Sequence, residues 1–402
     1  MMEQDRYTVG RHLTIRYLGP IHMADINMKR VNVVIGEQSS GKSCLLKTAF
    51  YCTWVEERIK IEQRTDRFER DDAFIRQFIQ IHKMDDFVND NTEIAYESDY
   101  MRFSYVHKQH KFSFEWKSGR WDYQRPKVSY IPSERNLVAA IPNWFQVNFD
   151  SNNIQQFMAD WEDARKSKTK GYEVLNLGVS YYYDPTDKSD HVRLSNAKTI
   201  KFSNSSSGLQ SLIPLLVLLS YITSDEYRQE YNRNFDKSQE RGQVLNALTK
   251  YYREHLDELR SLVCVCKDDR LIWDDGFGNT QYNQAVIDMF VDISQRLITP
   301  HHCDIFLEEP EQNLFPPTQG LLINHLMELT EDHRHHRLFI ATHSPYILGK
   351  MLERTDYDFG LFYIQPSNDG MSEVREATEQ DIQEIYEDGV DAFFNIETLG
   401  HE

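Results

Sequence analysis

Apolar and polar positions change rhythm several times along the chain, and each change predicts an element. "LTIRYL" (Leu13 to Leu18) and "VNVVIG" (Val31 to Gly36) are short runs with β-branched residues and predict strands. "KSCLLKTAFYCTWVEERI" then predicts a helix, followed by the charged helical stretch "EERIKIEQRTDRFERDDAFIRQFIQIHK". From Thr92 to Ile131 the pattern alternates in "TEIAYES", "MRFSYVHK", "KFSFEWK" and "KVSYIP", which predicts an antiparallel meander turning at "KQH" and "SGRWD". "IQQFMADWEDARK" returns to helical spacing, and "YEVLNLGVSYYYD" and "VRLSNAKTIKF" predict two more strands.

"SLIPLLVLLSYI" (Ser211 to Ile222) is apolar almost throughout. It is too short to span a bilayer and carries a proline and two serines, so it predicts a buried helix. Tyr221 to Ile298 is mostly helical and polar, with one apolar stripe at Leu245, Leu248, Tyr252, Leu256, Leu259 and Val263. "CDIFLEEPEQNLFP" and "HRLFIATHSPYILG" each predict a buried strand running into a loop, and "GLFYIQ" predicts another strand. The fold class is therefore α/β, with a mixed or parallel sheet core and an antiparallel β subdomain over 92–131. Residues 1–220 and 299–402 together form one domain, 221–298 a helical insertion, and 373–402 an acidic C-terminal segment.

Composition sharpens this only in places. The 22 Tyr and 22 Phe in 402 residues mark a folded chain with ample core. The formal charge of -18, from 45 basic and 63 acidic residues, repels nucleic acid overall and leaves any DNA contact to a local patch. Half of that surplus lies in Glu373 to Glu402, where Arg375 is the lone basic residue: a solvated helical tail, or a docking surface for a basic partner. The five scattered cysteines, Cys44, Cys52, Cys264, Cys266 and Cys303, fit a reduced compartment, and Cys264 and Cys266 lack a second pair at zinc spacing. With no signal-peptide core and no membrane span, a cytoplasmic protein is expected.

The chemistry starts at "GEQSSGKS", Gly36 to Ser43, which fits G-x-x-x-x-G-K-[ST] between a strand and a helix. Gly36 and Gly41 let the backbone turn its N–H groups toward phosphates, across Glu37, Gln38, Ser39 and Ser40. Lys42 would reach the terminal phosphates, Ser43 would ligate Mg²⁺, and Cys44 completes the first turn, where the helix dipole helps. "IFLEEPE" delivers two adjacent carboxylates at the end of a buried strand. Glu308 is the candidate Mg²⁺-side carboxylate and Glu309 the candidate general base. "FIATHSP" places His343 just past another buried strand, within reach of a terminal phosphate or its water. In "SNSSSGLQSLIPLL", Ser207 and Gly208 open an apolar helix with Ser207 suited to cap it. A second phosphate grip makes sense if it serves the nucleotide of another copy.

In this order, "GEQSSGKS", "SSGLQ" (Ser206 to Gln210), "LEEPE" and "THSP" resemble the ABC-type ATPase heads of the SMC, RecF and OLD group. The likeness is greatest to the single-head ATPases of bacterial phage-defence operons, such as PARIS- or Septu-like components. It covers Leu13 to about Ile364, including the opening "LGPIHMADINMKRVNVVIGEQSSGKS". It implies ATP and Mg²⁺ as ligands and a head-to-head pair in which Ser207, Gly208 and Gln210 of one copy close on the other's ATP. It also implies that Glu308 is the Walker-B acid, Glu309 the base and His343 the switch histidine. Glu308 stands where Asp is commoner. Ser206 and Leu209 depart from the transporter signature, which argues against transport. "YIPSERN" falls where a switch segment is expected, making Glu134 and Arg135 candidates there, against an ordinary surface turn with an ion pair.

Three functions compete. One is an ATPase sensor or scaffold, triggered by a phage protein and controlling a separately encoded effector such as a Toprim-type nuclease, since no second catalytic domain is recognisable. Another is a RecF-like repair ATPase binding DNA through Arg102 to Lys127, where basic residues interleave with aromatics. The third is a nuclease within this chain, from the Arg102 and His107 spacing. That spacing lies in a strand pattern where a helix is needed, and the histidine clusters at His301–Cys303 and Asp332–Arg337 lack a full ligand set.

Overall fold

Strands whose residues are buried on both faces form the centre of one large sheet. The computed structural model describes residues 10–141, 152–231, 235–255, 263–267, 270–274, 284–353, 358–367 and 370–389. Its strands are β1 (Arg11–Leu18), β2 (Ile21–Met28), β3 (Val31–Gly36), β4 (Val88–Ser98), β5 (Met101–Val106), β6 (Lys111–Trp116) and β7 (Pro126–Ile131). The short strands β8 (Tyr172–Glu173), β9 (Ser180–Asp184), β10 (Ser189–Arg193) and β11 (Thr199–Lys201) make a separate small sheet. A hairpin, β12 (Val263–Lys267) and β13 (Arg270–Asp274), precedes β14 (His302–Glu308), β15 (Arg337–Ala341), β16 (Phe359–Pro366) and β17 (Ser372–Glu376).

The 11-stranded sheet runs β6-β5-β4-β1-β2-β17-β16-β3-β15-β14-β7. From β16 to β7 every pairing is parallel, whereas β1, β2, β4, β5 and β6 pair antiparallel. The period-two geometry of a strand sorts the apolar residues onto two cores. Val31, Val33, Ile305, Leu307, Ile340 and Leu361 face the core built around helix Ser207–Ile222. Val34, Phe306, Phe339 and Phe362 face the opposite core, built around helix Lys42–Glu62. There Phe50 meets Phe306 edge-on at 5.6 Å. Continuous apolar runs, with no polar alternation, are what a sheet covered on both faces requires.

The α/β class read from the sequence, with its mixed sheet, meander and helical parts, is the one observed. The meander itself keeps three of its four expected strands. "KVSYIP" pairs in parallel with β14 at the far edge, because its buried run Val128–Ile131 fits a doubly covered strand better than a half-exposed one. The helical insertion also contains the β12–β13 hairpin. Val263 opens β12, Leu256 and Leu259 lie outside the described residues, and helix Phe235–His255 carries the stripe only through Tyr252. Val244 and Leu248 of that helix pack on Phe290, Ile293 and Leu297 of helix Gln284–Ile298, and on Ile61 and Tyr123 of the head. Arg125 strengthens this root through Glu57 at 2.8 Å and Glu240 at 3.0 Å. The acidic segment begins as strand β17 and continues as helix Glu379–Asp388, capped by Thr378; 390–402 lie outside the described residues. No described helix is long and apolar enough to cross a membrane.

Candidate active site

The parallel strands β3, β14, β15 and β7 all end on one edge of the sheet, which brings four distant segments together. Such carboxyl-terminal edges are where ligands bind in α/β sheets. β3 delivers the glycine loop, β14 the glutamates, β15 the Thr342–His343 segment, and β7 the turn Ser133–Asn136. In register, Glu308 lies opposite Ala341, so the carboxylates and His343 leave the sheet side by side.

The loop has the backbone that phosphate binding needs. Gly41 has φ 116, and Ser39 also takes the left-handed region with φ 65. A Cβ on Gly41 would lie 3.0 Å from Ile21 and 3.1 Å from Pro20. Helix Lys42–Glu62 starts at Gly41 with no side-chain cap and no acidic residue in its first turn. Helices starting after Asn152, Ser206, Ser344 and Thr378 all have capping side chains. Helices starting after Asp72 and Phe315 also lack a side-chain cap, so it is the glycine-loop backbone together with the free first-turn N–H groups that suits this start to an anion. The buried Ser40 hydroxyl has no hydrogen-bond partner among the described residues, as expected of a group waiting for a ligand. Glu37, Gln38, Ser39 and Ser43 are exposed. Cys44 departs from its expected place in the site: its thiol is buried, 3.6 Å from the Leu18 carbonyl, and burial pushes its pKa up to about 12.

Lys42 is 5 % exposed, and its ammonium donates to the Gly36 carbonyl at 2.8 Å and to the Glu37 carbonyl. Burial lowers its pKa to about 8 against the opposing pull of Glu309, Glu311 and Glu37. Glu308 is buried at the strand end, with the Ser133 N–H 3.4 Å from its carboxylate. A buried carboxylate needs a cation or strong donors, so this position fits a Mg²⁺ ligand. Glu309 adopts φ 43, a strained conformation for a residue with a Cβ. Its N–H donates to the Ala341 carbonyl at 2.9 Å, and its side chain is 41 % exposed. His343 Nε2 lies 3.8 Å from Glu309 Oε1, with the His343 side chain 40 % exposed. Burial, then the nearby Lys42 charge, lowers the His343 pKa, so its imidazole is neutral at pH 7.

Glu311 belongs to the site although the sequence reading stopped at the first two acids of "LEEPE". Its carboxylate accepts from the His343 N–H at 2.6 Å and the Thr342 hydroxyl at 2.9 Å, gripping both residues. The signal was a third acid beyond the proline, but its role depends on β15 lying alongside. Arg135 is no surface residue: it is wholly buried and donates to the carbonyls of Glu308 and Glu309 at 2.9 and 2.7 Å.

The signature segment lies on the adjoining helix. Ser206, not Ser207, is the cap, accepting from the Leu209 N–H at 3.4 Å, which leaves the Ser207 hydroxyl exposed. Gly208 packs so closely on the glutamate loop that a Cβ would lie 3.0 Å from the Asn313 carbonyl. Gln210 turns back to donate to the carbonyls of Ser203 and Ser205, both at 3.0 Å, and so shapes its own loop.

The basic stretch Arg102 to Lys127 is largely neutralised. Arg102 pairs with Glu115 at 2.7 Å, Lys117 with Glu97 at 2.5 Å, and Lys127 with Asp160 at 3.0 Å. Arg120 stacks over Trp116 at 3.9 Å. Lys108 and Lys111 remain without an ion-pair partner among the described residues. Arg102 lies on β5 and His107 in the turn after it, so no helix joins them.

No family model matches the chain, and no curated protein does. Among solved structures it is similar to the SMC head domain from Thermotoga maritima, at 11% identity and TM-score 0.42, over 92% of this chain and 99% of that one. It is also similar to an SmcHead bound to the C-winged helix domain of ScpA, at 10% identity and TM-score 0.41, over 93% and 99%. A third is the Smc head domain with an extended coiled coil bound to the C-terminal domain of ScpA derived from Pyrococcus furiosus, at 9% identity and TM-score 0.31, over 94% and 98%.

Proposed function

We propose that the chain binds ATP and hydrolyses it to ADP and phosphate, as an ABC-type head that pairs with a second copy of itself. The observation that supports this is the meeting of the uncapped glycine loop, Lys42, Glu308, Glu309 and His343 on one sheet edge. The loop N–H groups and Lys42 bind the phosphates and orient the chain of the nucleotide. Ser43 and Glu308 would hold Mg²⁺, which when bound neutralises charge on the phosphate oxygens. Glu309 takes the proton of the attacking water, and neutral His343 orients that water or the terminal phosphate by a hydrogen bond. Glu311 keeps His343 in place.

Ser207 and Gly208 stand at an exposed helix start, suited to close on the nucleotide of a second copy and so make two shared sites. In this reading hydrolysis times the assembly and release of the pair. The sequence resemblance then extends the role to bacterial anti-phage defence: a phage protein triggers the pair, which controls a separately encoded effector, a nuclease such as a Toprim protein. The RecF-like alternative is weakened by the internal pairing of the Arg102–Lys127 cations.

The test is steady-state ATP turnover together with sedimentation. Lys42→Ala is expected to lose nucleotide binding. Glu309→Gln is expected to keep binding, lose turnover by about a hundredfold or more, and accumulate the paired form with ATP. Wild-type turnover in Glu309→Gln refutes the base. Ser207→Arg should bind nucleotide as a monomer and fail to pair; unchanged pairing refutes the shared sites. Co-purification from the native operon with Glu309→Gln and ATP identifies the effector.

A further inference from the structure

Arg135 has an unusual set of partners. Its guanidinium is 0 % exposed, yet among the described residues it forms no ion pair. All of its donors go to main-chain carbonyls: Nε to Ser211 at 3.1 Å, one terminal nitrogen to Pro132 at 3.2 Å and Glu308 at 2.9 Å, and the other to Glu309 at 2.7 Å and Pro310 at 3.4 Å. Five N–H groups meet five carbonyls, which matches the full donor capacity of the fork. Burial lowers its pKa to about 10 against Glu311, Glu309 and Glu308, so it stays charged at neutral pH and every one of these bonds is charge-assisted.

Those carbonyls belong to three separate segments: the turn after β7, the glutamate loop, and the second turn of helix Ser207–Ile222. Asn313 makes a parallel bridge, its side-chain amide donating to the Ser211 hydroxyl at 2.9 Å. Ser211 is thus held twice, at its carbonyl by Arg135 and at its hydroxyl by Asn313 of the glutamate loop, and Gly208 abuts the Asn313 carbonyl one turn earlier. A charge spent wholly on main-chain oxygens fixes backbone position. Glu309 needs such support because its φ of 43 is unfavourable in isolation.

We propose that Arg135 is a positioning residue that locks the Glu308–Pro310 backbone to the start of helix Ser207–Ile222. The orientation of Glu309 at this copy's nucleotide and the seating of Ser207 and Gly208 for the partner's nucleotide then change together. The kinetic consequence rests on the ATPase reading above; the mechanical one does not.

Hydrogen exchange and turnover read the two consequences separately, on the full chain. In Arg135→Gln the amides of Gln312 and Leu314, in the glutamate loop, and of Leu209 and Gln210, in the helix start, should exchange about tenfold faster or more, all together. The amides of Val33 and Ile305 in the central strands should stay protected. Turnover should fall about thirtyfold or more with KM little changed. Arg135→Lys keeps the charge but presents its donors from one point, so it should restore only part of either effect. Faster exchange at Val33 and Ile305 as well would make Arg135 an ordinary core residue and overturn the proposal. Loosening of one segment without the other overturns the coupling. If Arg135→Gln does not fold, Asn313→Ala removes the parallel bridge from an exposed residue and should loosen the same two segments more weakly; protection unchanged at both overturns the lock. A wild-type chain without ATP turnover refutes the ATPase reading, while the exchange pattern still decides the lock.

Discussion

Nucleotide affinity should weaken as the pH rises from 7 to 9, because Lys42 loses its proton there. The cause is its position: the ammonium is buried at the floor of the loop, and desolvation outweighs the attraction of Glu309, Glu311 and Glu37, leaving a pKa of about 8. Anionic phosphates beside the ammonium raise that value, so binding takes up a proton wherever the free protein has lost one. With a pKa near 8, roughly nine-tenths of the free protein carries the ammonium at pH 7 and roughly one-tenth at pH 9. If only that form binds, Kd weakens about tenfold over the interval, about 1.4 kcal/mol. A lysine at its ordinary value would leave Kd almost flat. Neither of the other perturbed groups beside the loop interferes, because burial moves His343 below the window and Cys44 above it. The last phosphate ionisation, near pH 6, is also complete. The assay is equilibrium titration of a fluorescent ATP analogue with Mg²⁺ at pH 7, 8 and 9, at constant ionic strength. A flat Kd in protein that binds normally at pH 7 refutes Lys42 as the buried phosphate ligand.

Removing Glu311 releases two groups at once, so Glu311→Ala should cut turnover about ten- to a hundredfold while leaving nucleotide affinity nearly unchanged, measured by titration and steady-state kinetics. Lys60 is buried among Tyr100, Trp116 and Tyr123, donates to the Arg120 carbonyl at 2.5 Å, and has its pKa lowered by burial to about 7. Its unfolded form holds a proton that the folded form has lost between about pH 7 and 10.5, so wild-type stability rises with pH across that window. Lys60→Met should therefore gain stability relative to wild type on going from pH 9 to pH 6, by an amount on the order of a few kcal/mol, read from thermal unfolding at both values. A difference independent of pH would show that Lys60 keeps an ordinary pKa. Leu248→Ala should destabilise the junction of lobe and head by about 2–4 kcal/mol, because Leu248 is fully buried against that core. Denaturant unfolding checks it, and a loss under about 0.5 kcal/mol would mean the lobe does not depend on this contact.

Local signals set much of the architecture in advance. The apolar runs around Val31–Ile35, Ile305–Leu307 and Leu338–Ile340 have the composition of doubly covered parallel strands, and the glycine loop has both its glycines and its uncapped helix written in eight residues. Glu308, Glu309 and His343 were legible because each follows directly on such a run, where strand ends in parallel sheets meet. "KVSYIP" was misread because alternation and burial look alike over six residues; only its parallel partner β14 separates them. Ser206 and Ser207 are equivalent as caps in sequence, and the backbone choice of helix start decided between them.

By itself, then, the sequence determined most of the central strands, which loop has the phosphate-binding pattern, and which acids stand at strand ends, since these follow from residues adjacent in the chain. Tertiary structure alone decided that Glu311 grips His343, that Arg135 spends its charge on backbone, and that the Arg102–Lys127 cations are mostly neutralised at home. Apart from the bond of Arg135 to the nearby Pro132 carbonyl, each of those depends on partners from 13 to 175 residues away. Hydrogen bonds across such separations are set by strand order and register, and no local pattern of side chains encodes either.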